Sequence, residues 1–330
     1  MHYGGINIHL SRAVEAQARA EIQISHAKAV YISVRKSSHQ QDPMILSEIQ
    51  DFCDRMQSER DDKGPDARIV VCPAQDDDES FSAACLYLGS YLILNMGWEL
   101  QSVLAAFRPE GHFGAGSEPS DLSARHRDCW RALDHAKTLG WFVDPASDIE
   151  PLIDVDEFVH YARPANGSVH MSVPGKLLFF PTPASLADNQ LWTDSIGDDG
   201  RTLRRFSAPF YADLLQDLGA SVVVCLGRSC PADAAAMRAR GIETVDLDMS
   251  DGGSSLLRGL DRLLTLERRA PGPVAVHSGA GVAWPGYVGT LVSAVMISRL
   301  GFDEGSAGAW LRMVSPWMAP GDDSEGPGGP

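Results

Sequence analysis

The sequence predicts an α/β protein built from two similar units in tandem, each a central sheet flanked by helices. Its length is the first observation behind that reading: 330 residues at 44% hydrophobic are enough for two cores of ordinary size. The second is a pattern that occurs twice. In "ARIVVCPAQDDDESFSAACLYLGSYLILNMGWELQSVLAAFR", Ile69, Val70 and Val71 form a β-branched run. A polar loop follows, then apolar residues at helical spacing through Leu94, and a second helix from about Glu99. "GPVAVHSGAGVAWPGYVGTLVSAVMISRLGFDEGSAGAWLRMV" repeats the order of strand, loop, long apolar helix, glycine break and second helix. The third observation is that Gly97 and Gly301 fall at matching places, each where a C-cap would end the long helix.

The remaining elements follow in chain order. "DLSARHRDCWRALDHAKTLGWF" reads as an amphipathic helix over 121–141 with Asp121 as N-cap candidate. It is expected to bridge the domains, within a connecting segment 116–149. "PLIDVDEFVHYARPANGSVHMSVPGKLLFFPTPAS" opens the second unit as extended segments broken at Pro174-Gly175 and Pro181. "GASVVVCLG" and "GIETVDLDM" are strands flanking a helix over about Ala232 to Arg240, which Gly241 would cap. The domains are therefore expected at 20–115 and 150–318. Residues 319–330, Gly/Pro-rich and acidic, form an expected disordered tail.

Charge narrows the functional classes. The 44 acidic against 28 basic residues give a formal charge of -16, which repels polyanions outside a local basic pocket. Nucleic acid and anionic membrane are poor partners for such a chain. A basic protein segment fits better, although an acidic balance commonly serves solubility alone. The six cysteines show no CxxC pair and no metal-ligand spacing. They read as reduced, buried thiols of a cytosolic or nuclear protein that needs no metal or other cofactor. No apolar stretch approaches the roughly 18 residues of a membrane span, and the N-terminus lacks a secretory h-region.

The strand, loop and helix at 274–295 carry the chemistry. Cysteine-based phosphatases use His-Cys-x5-Arg at such a junction: the thiolate attacks phosphorus while backbone N–H groups and a guanidinium hold the oxygens. Here His277 keeps its place, and Gly279, Ala280, Gly281, Val282 and Ala283 form the stretch that would face an anion. The nucleophile position is Ser278, far less acidic than a thiol, with no evident base to activate it. Six residues on, the arginine position is Trp284, with one N–H and no charge. Pro285 stands where a hydroxyl residue would follow, and suits the first turn of a helix.

With these residues in view, the chain resembles the cell division cycle 14 class of dual-specificity protein phosphatases, over about residues 25 to 318. The stretches that carry the resemblance are "DVDEFVHYARPANGSVHMSVPGKLLFF" (154–180), "AACLYLGSYLILNMGWELQSVLAAF" (83–107), "VDLDMSDGG" (245–253) and "AVHSGAG" (275–281). The resemblance implies two tandem phosphatase-like domains of which only the second is catalytic. It places the general acid on Asp251, 27 residues before Ser278, although Asp-Gly is also an ordinary turn dipeptide. His277 would organise the loop in an active member; without the thiol it reads as a core histidine bonded to backbone. The stretch "SPWMAPGDDSEG" holds no Gln where the class positions water. In the first unit, Asp78 falls at the arginine equivalent after Cys72, within an acidic run that reads as a solvated loop around an inert thiol.

Two readings follow. One is a pseudophosphatase serving as a protein-binding or structural module, its partner a basic segment in the groove between the domains. The other is an active protein phosphatase with an atypical or engineered nucleophile. An engineered Cys→Ser trap would keep its arginine, and Trp284 argues against that explanation. The cysteines point to the cytoplasm, with the nucleus as the alternative, and the resemblance suggests cell-cycle, centrosomal or other cytoskeletal, ciliary or flagellar assemblies.

Overall fold

The computed structural model describes residues 8–15, 17–18, 29–34, 45–64, 68–108, 124–142, 151–187, 190–196, 202–247, 253–278 and 286–315. The chain divides into two compact units, Met1–Pro151 and Leu152–Pro330.

Unit 1 carries β1 (Ile8–Leu10), β2 (Ala29–Val34), α1 (Ile45–Lys63), β3 (Arg68–Pro73), α2 (Asp78–Leu94), α3 (Leu100–Ala106) and α4 (Ala124–Thr138). The three strands among its described residues are parallel in the order β1-β3-β2. The β-branched run lies in the middle strand, with Ile69, Val70 and Val71 buried, as suits a strand covered on both faces. Helix α2 buries residues all round its axis and is the centre of the unit, packed by α1, α4 and β3. Helix α4, expected as a connector, lies against α2: the indole N–H of Trp130 donates to the Leu86 carbonyl at 3.0 Å. Gly89 makes this approach possible, since a Cβ there would stand 2.3 Å from the Trp130 ring. Lys137 Nζ donates to the Ile93 and Leu94 carbonyls at 2.9 and 3.2 Å, placing a cation at the C-terminal end of α2.

Unit 2 carries α5 (Val155–Ala162), β4 (His170–Val173), β5 (Leu177–Phe179), β6 (Trp192–Ile196), β7 (Thr202–Phe206), α6 (Ala208–Asp217), β8 (Val222–Leu226), α7 (Pro231–Ala239), β9 (Glu243–Leu247), α8 (Gly253–Arg269), β10 (Val274–Ser278), α9 (Gly286–Val295) and α10 (Glu304–Val314). The main sheet runs β4-β5-β10-β8-β9, parallel except where β4 meets β5. Those two strands are joined at Pro174-Gly175: proline presets the first turn position and Gly175 takes φ +67. Tyr211 and Leu215 of α6 and Met237 of α7 pack on Leu178, Val223 and Ala275. Trp310 of α10 donates to the Ser172 carbonyl in β4 at 2.8 Å. The hairpin β6–β7 is a separate two-stranded sheet.

The expected repeat extends into how the long helices end. In unit 1 the Met96 N–H reaches back five residues to the Tyr91 carbonyl and Trp98 six to Leu92. In unit 2, α9 continues into a π-type turn at Met296–Leu300, and the N–H groups of Gly301 and Phe302 both reach the Met296 carbonyl. Gly97 and Gly301 then reverse the chain at φ +67 and +78, a conformation open to glycine at little cost.

Candidate functional site

Strand β10 delivers His277 and Ser278 to the carboxyl edge of the sheet, in register with Cys225 and Leu226 of β8. Alternation along a strand sends the two side chains to opposite faces. Only these two of the sequence-predicted site residues are among the described ones. Asp251, Gly279, Ala280, Gly281, Val282, Ala283 and Trp284 lie outside them, as does Pro285.

Ser278 is 6% exposed, and its hydroxyl lies 3.1 Å from the Thr182 hydroxyl. Thr182 Oγ1 also donates to the Ser278 carbonyl at 2.6 Å. Thr182 belongs to the irregular segment that leaves β5, the neighbour of β10. The clasp thus closes the carboxyl ends of two adjacent strands. Sequence reasoning missed Thr182, because its partner lies 96 residues away; its placement straight after a buried strand paired with β10 is the signal only a topology supplies.

His277 is 3% exposed and packs against Phe180 with ring centroids 4.9 Å apart and ring planes tilted by 42°. Its Nδ1 is 3.0 Å from the Ser278 carbonyl oxygen, so that nitrogen carries the proton and donates. Burial pushes the imidazole down to about 4, against the opposing pull of this hydrogen bond and of the Asp246 charge. The ring is therefore neutral at physiological pH, and its Nδ1 is committed to a carbonyl rather than to the Ser278 hydroxyl. Among the described residues, no carboxylate or imidazole bonds the Ser278 oxygen that would have to lose a proton.

Behind His277 a narrow cleft is lined by Cys225, Ser229, Asp233, Met237 and Asp246. Asp246 accepts from the Ser229 N–H at 3.2 Å. Burial pushes the Cys225 thiol up to about 12, helped by the Asp246 and Asp233 charges, and burial also raises Asp233. A cleft with two carboxylates and a protonated thiol is unsuited to phosphate. Among the described residues, no group of three or more His, Cys, Asp or Glu could hold a metal ion, and no helix is long and apolar enough to cross a membrane.

The equivalent junction in unit 1 is occupied by the chain itself. Cys72 is fully buried, and Asp77 caps α2 by accepting from the Ser80 N–H at 2.6 Å. Asp78, at the arginine equivalent, sits with Glu79 in the first turn of α2, where carboxylates complement the helix dipole. The acidic run is exposed to solvent.

No protein-family profile matches the chain. Among curated proteins it is 27% identical over 267 residues to tyrosine-protein phosphatase cdc-14 of Caenorhabditis elegans, covering 76% of this chain and 34% of that protein. It is 29% identical over 191 residues to human dual specificity protein phosphatase CDC14A (57% and 28%). The mouse CDC14A match is 23% identical over 288 residues (83% and 43%). The chain thus spans about a third of the length of these relatives. Solved structures with a partial likeness include the active form of Tk-PTP, at 20% identity and TM-score 0.31 over 46% of this chain and 87% of that one. Another is kinase associated phosphatase with its catalytic cysteine replaced by serine, at 15% identity and TM-score 0.32 over 44% and 78%. In sequence, then, the chain is similar to the CDC14 dual-specificity phosphatases across 57% to 83% of its own length.

Proposed function

We propose that this chain is a pseudophosphatase of the CDC14 class, acting as a protein-binding or structural module. The observation that carries the reading is the state of Ser278. Its hydroxyl is held by Thr182 at 3.1 Å, and the adjacent imidazole, neutral and buried, is bonded to the Ser278 carbonyl. A serine becomes a nucleophile when a base takes its proton, and this serine faces another alcohol. Trp284 in the arginine position removes the permanent charge that would hold the phosphoryl oxygens. A lost nucleophile and a lost charge clamp act on the same transition state, and the loss of a single donor at such a site already costs about 2.7–4 kcal/mol.

The partner we infer carries a basic segment, on the strength of the -16 formal charge and the solvated run Asp76 to Glu79. The deciding experiment pairs two measurements on the purified full chain. Turnover of an aryl phosphate and of a phosphoserine-proline peptide is expected to be absent, while a Lys/Arg-rich peptide is expected to bind with a salt-dependent affinity. Steady turnover abolished by Ser278→Ala would return the chain to the enzymes.

A further inference from the structure

The sequence contains two Ser/Thr-Pro dipeptides, Thr182-Pro183 and Ser315-Pro316, and the fold treats them in opposite ways. Ser315 is fully buried at the end of α10, with its hydroxyl 3.5 Å from that of Ser172. Thr182 is exposed, in a segment that is neither helix nor strand. Pro183 holds the preceding threonine away from the helical region, in the extended form in which a kinase takes its peptide. A backbone bond from the Ala184 N–H to the Phe206 carbonyl at 2.8 Å fixes the segment just beyond. The hydroxyl itself projects to the end of β10, where it holds Ser278.

We propose that Thr182 is a phosphorylation site for a proline-directed serine/threonine kinase, and that its modification opens the clasp on Ser278. The transfer moves the γ-phosphoryl group of ATP to Thr182 Oγ1: the new O–P bond forms as the β–γ bridge breaks, ADP leaves, and the kinase's base takes the hydroxyl proton. The esterified oxygen has no hydrogen left, so its donation to the Ser278 carbonyl at 2.6 Å ends. The carbonyl keeps the bond from His277 Nδ1. A charge of about -1.5 to -2 arrives beside the Ser278 hydroxyl, 3.1 Å from the present threonine oxygen, and that hydroxyl can donate to it. A neutral tie between the ends of β5 and β10 is thereby exchanged for a charged group at the edge of the candidate site.

The proposal is independent of whether Ser278 is catalytically silent, and the test keeps the two apart. The full chain is incubated with a proline-directed kinase and ATP, then read by intact mass and phosphopeptide mapping, with Ser278→Ala run in parallel so that self-dephosphorylation cannot hide the label. One phosphate on Thr182 is expected in both proteins. It should be absent from Thr182→Val, retained in Thr182→Ser and unchanged in Ser315→Ala. Hydrogen exchange over 178–187 should rise several-fold in the phosphorylated chain, and a thermal melt of Thr182→Val confirms that the variant is folded. The idea is overturned if the folded chain takes no phosphate, if only heat-unfolded chain is labelled, if the label maps elsewhere, or if exchange over 178–187 is unaltered.

Discussion

Acid should loosen unit 2 through two buried histidines. His170 and His277 are 5% and 3% exposed, and burial pushes each down to about 4. For His170 the opposing influence is a backbone bond to Val314, and for His277 the bond to Ser278 and the Asp246 charge. In the unfolded chain both return to about 6.5. Below that value the unfolded state binds protons that the fold refuses, so stability is present above pH 6.5 and drains as pH falls towards 4. Linkage gives a loss of about 2 kcal/mol per histidine at pH 5, and about 4 kcal/mol for the pair. Asp233, held up by burial, opposes the trend, because the fold takes its proton first. Peroxide oxidation of buried methionines along a urea gradient reports each unit separately: Met237, Met296 and Met313 belong to unit 2 and Met56 to unit 1. With an m-value of about 2–3 kcal/mol/M, the unit 2 midpoints should fall by roughly 1.3–2 M between pH 7 and pH 5. His277→Asn, which keeps an amide donor near the position of Nδ1, and His170→Gln should each remove about half of the fall. Midpoints that do not move, or a full shift persisting in the double variant, would refute the reasoning.

The other expected outcomes touch the site and both cores. Ser278→Cys alone should give no measurable turnover of aryl phosphate, since the thiolate would still lack its cation; adding Trp284→Arg should yield at most a trace, with Pro285 and the missing Gln still limiting it. Gly89→Ala drives a methyl into the Trp130 ring at 2.3 Å and should cost unit 1 about 1–3 kcal/mol or more, read as a lower midpoint for Met56 with Met313 unmoved. Trp310→Phe leaves the buried Ser172 carbonyl without its 2.8 Å donor and opens space in a closed core. About 2–3 kcal/mol should be lost from unit 2, seen at Met313 and not at Met56.

What could be read from the sequence was whatever repeats at short range. The run Ile69 to Val71 and its counterpart in β10 announce strands because burial on both faces demands apolar residues at every position. Gly97 and Gly301 mark helix ends because only a residue without a Cβ reverses the chain there cheaply. The hairpin β6–β7 carries no such signal: "WTDSI" and "TLRRF" lack an apolar alternation, and Trp192 and Ile196 are exposed, so no burial pattern is written into them. For α4 the amphipathic stripe was visible, but periodicity says only that a face is covered, not by what. Gly89, the residue that admits Trp130 to α2, looks in sequence like any glycine in an apolar helix. At the site, His277 and Ser278 were located by the motif they alter, whereas Thr182 has meaning only once β5 lies beside β10.

The two strand-loop-helix junctions also point to a shared reason why the described residues at neither one look prepared for a phosphoryl group. At a working phosphate site the helix N–H groups and the nucleophile are left unsatisfied until the ligand arrives. In unit 1 the Ser80 N–H is already taken by the Asp77 carboxylate at 2.6 Å, a cap whose removal typically costs about 0.5–2 kcal/mol. A phosphate would have to displace that carboxylate and then sit against Asp76, Asp78 and Glu79. In unit 2 the Ser278 hydroxyl and carbonyl are both engaged by Thr182, with His277 Nδ1 as second donor to the carbonyl. At each junction a group that would face the ligand, the Ser80 N–H or the Ser278 hydroxyl, is therefore already bonded within the chain. On the proposed reading, turnover by a chain carrying Ser278→Cys and Trp284→Arg would further require loosening the Thr182 clasp, with the loss of whatever stabilisation those contacts supply.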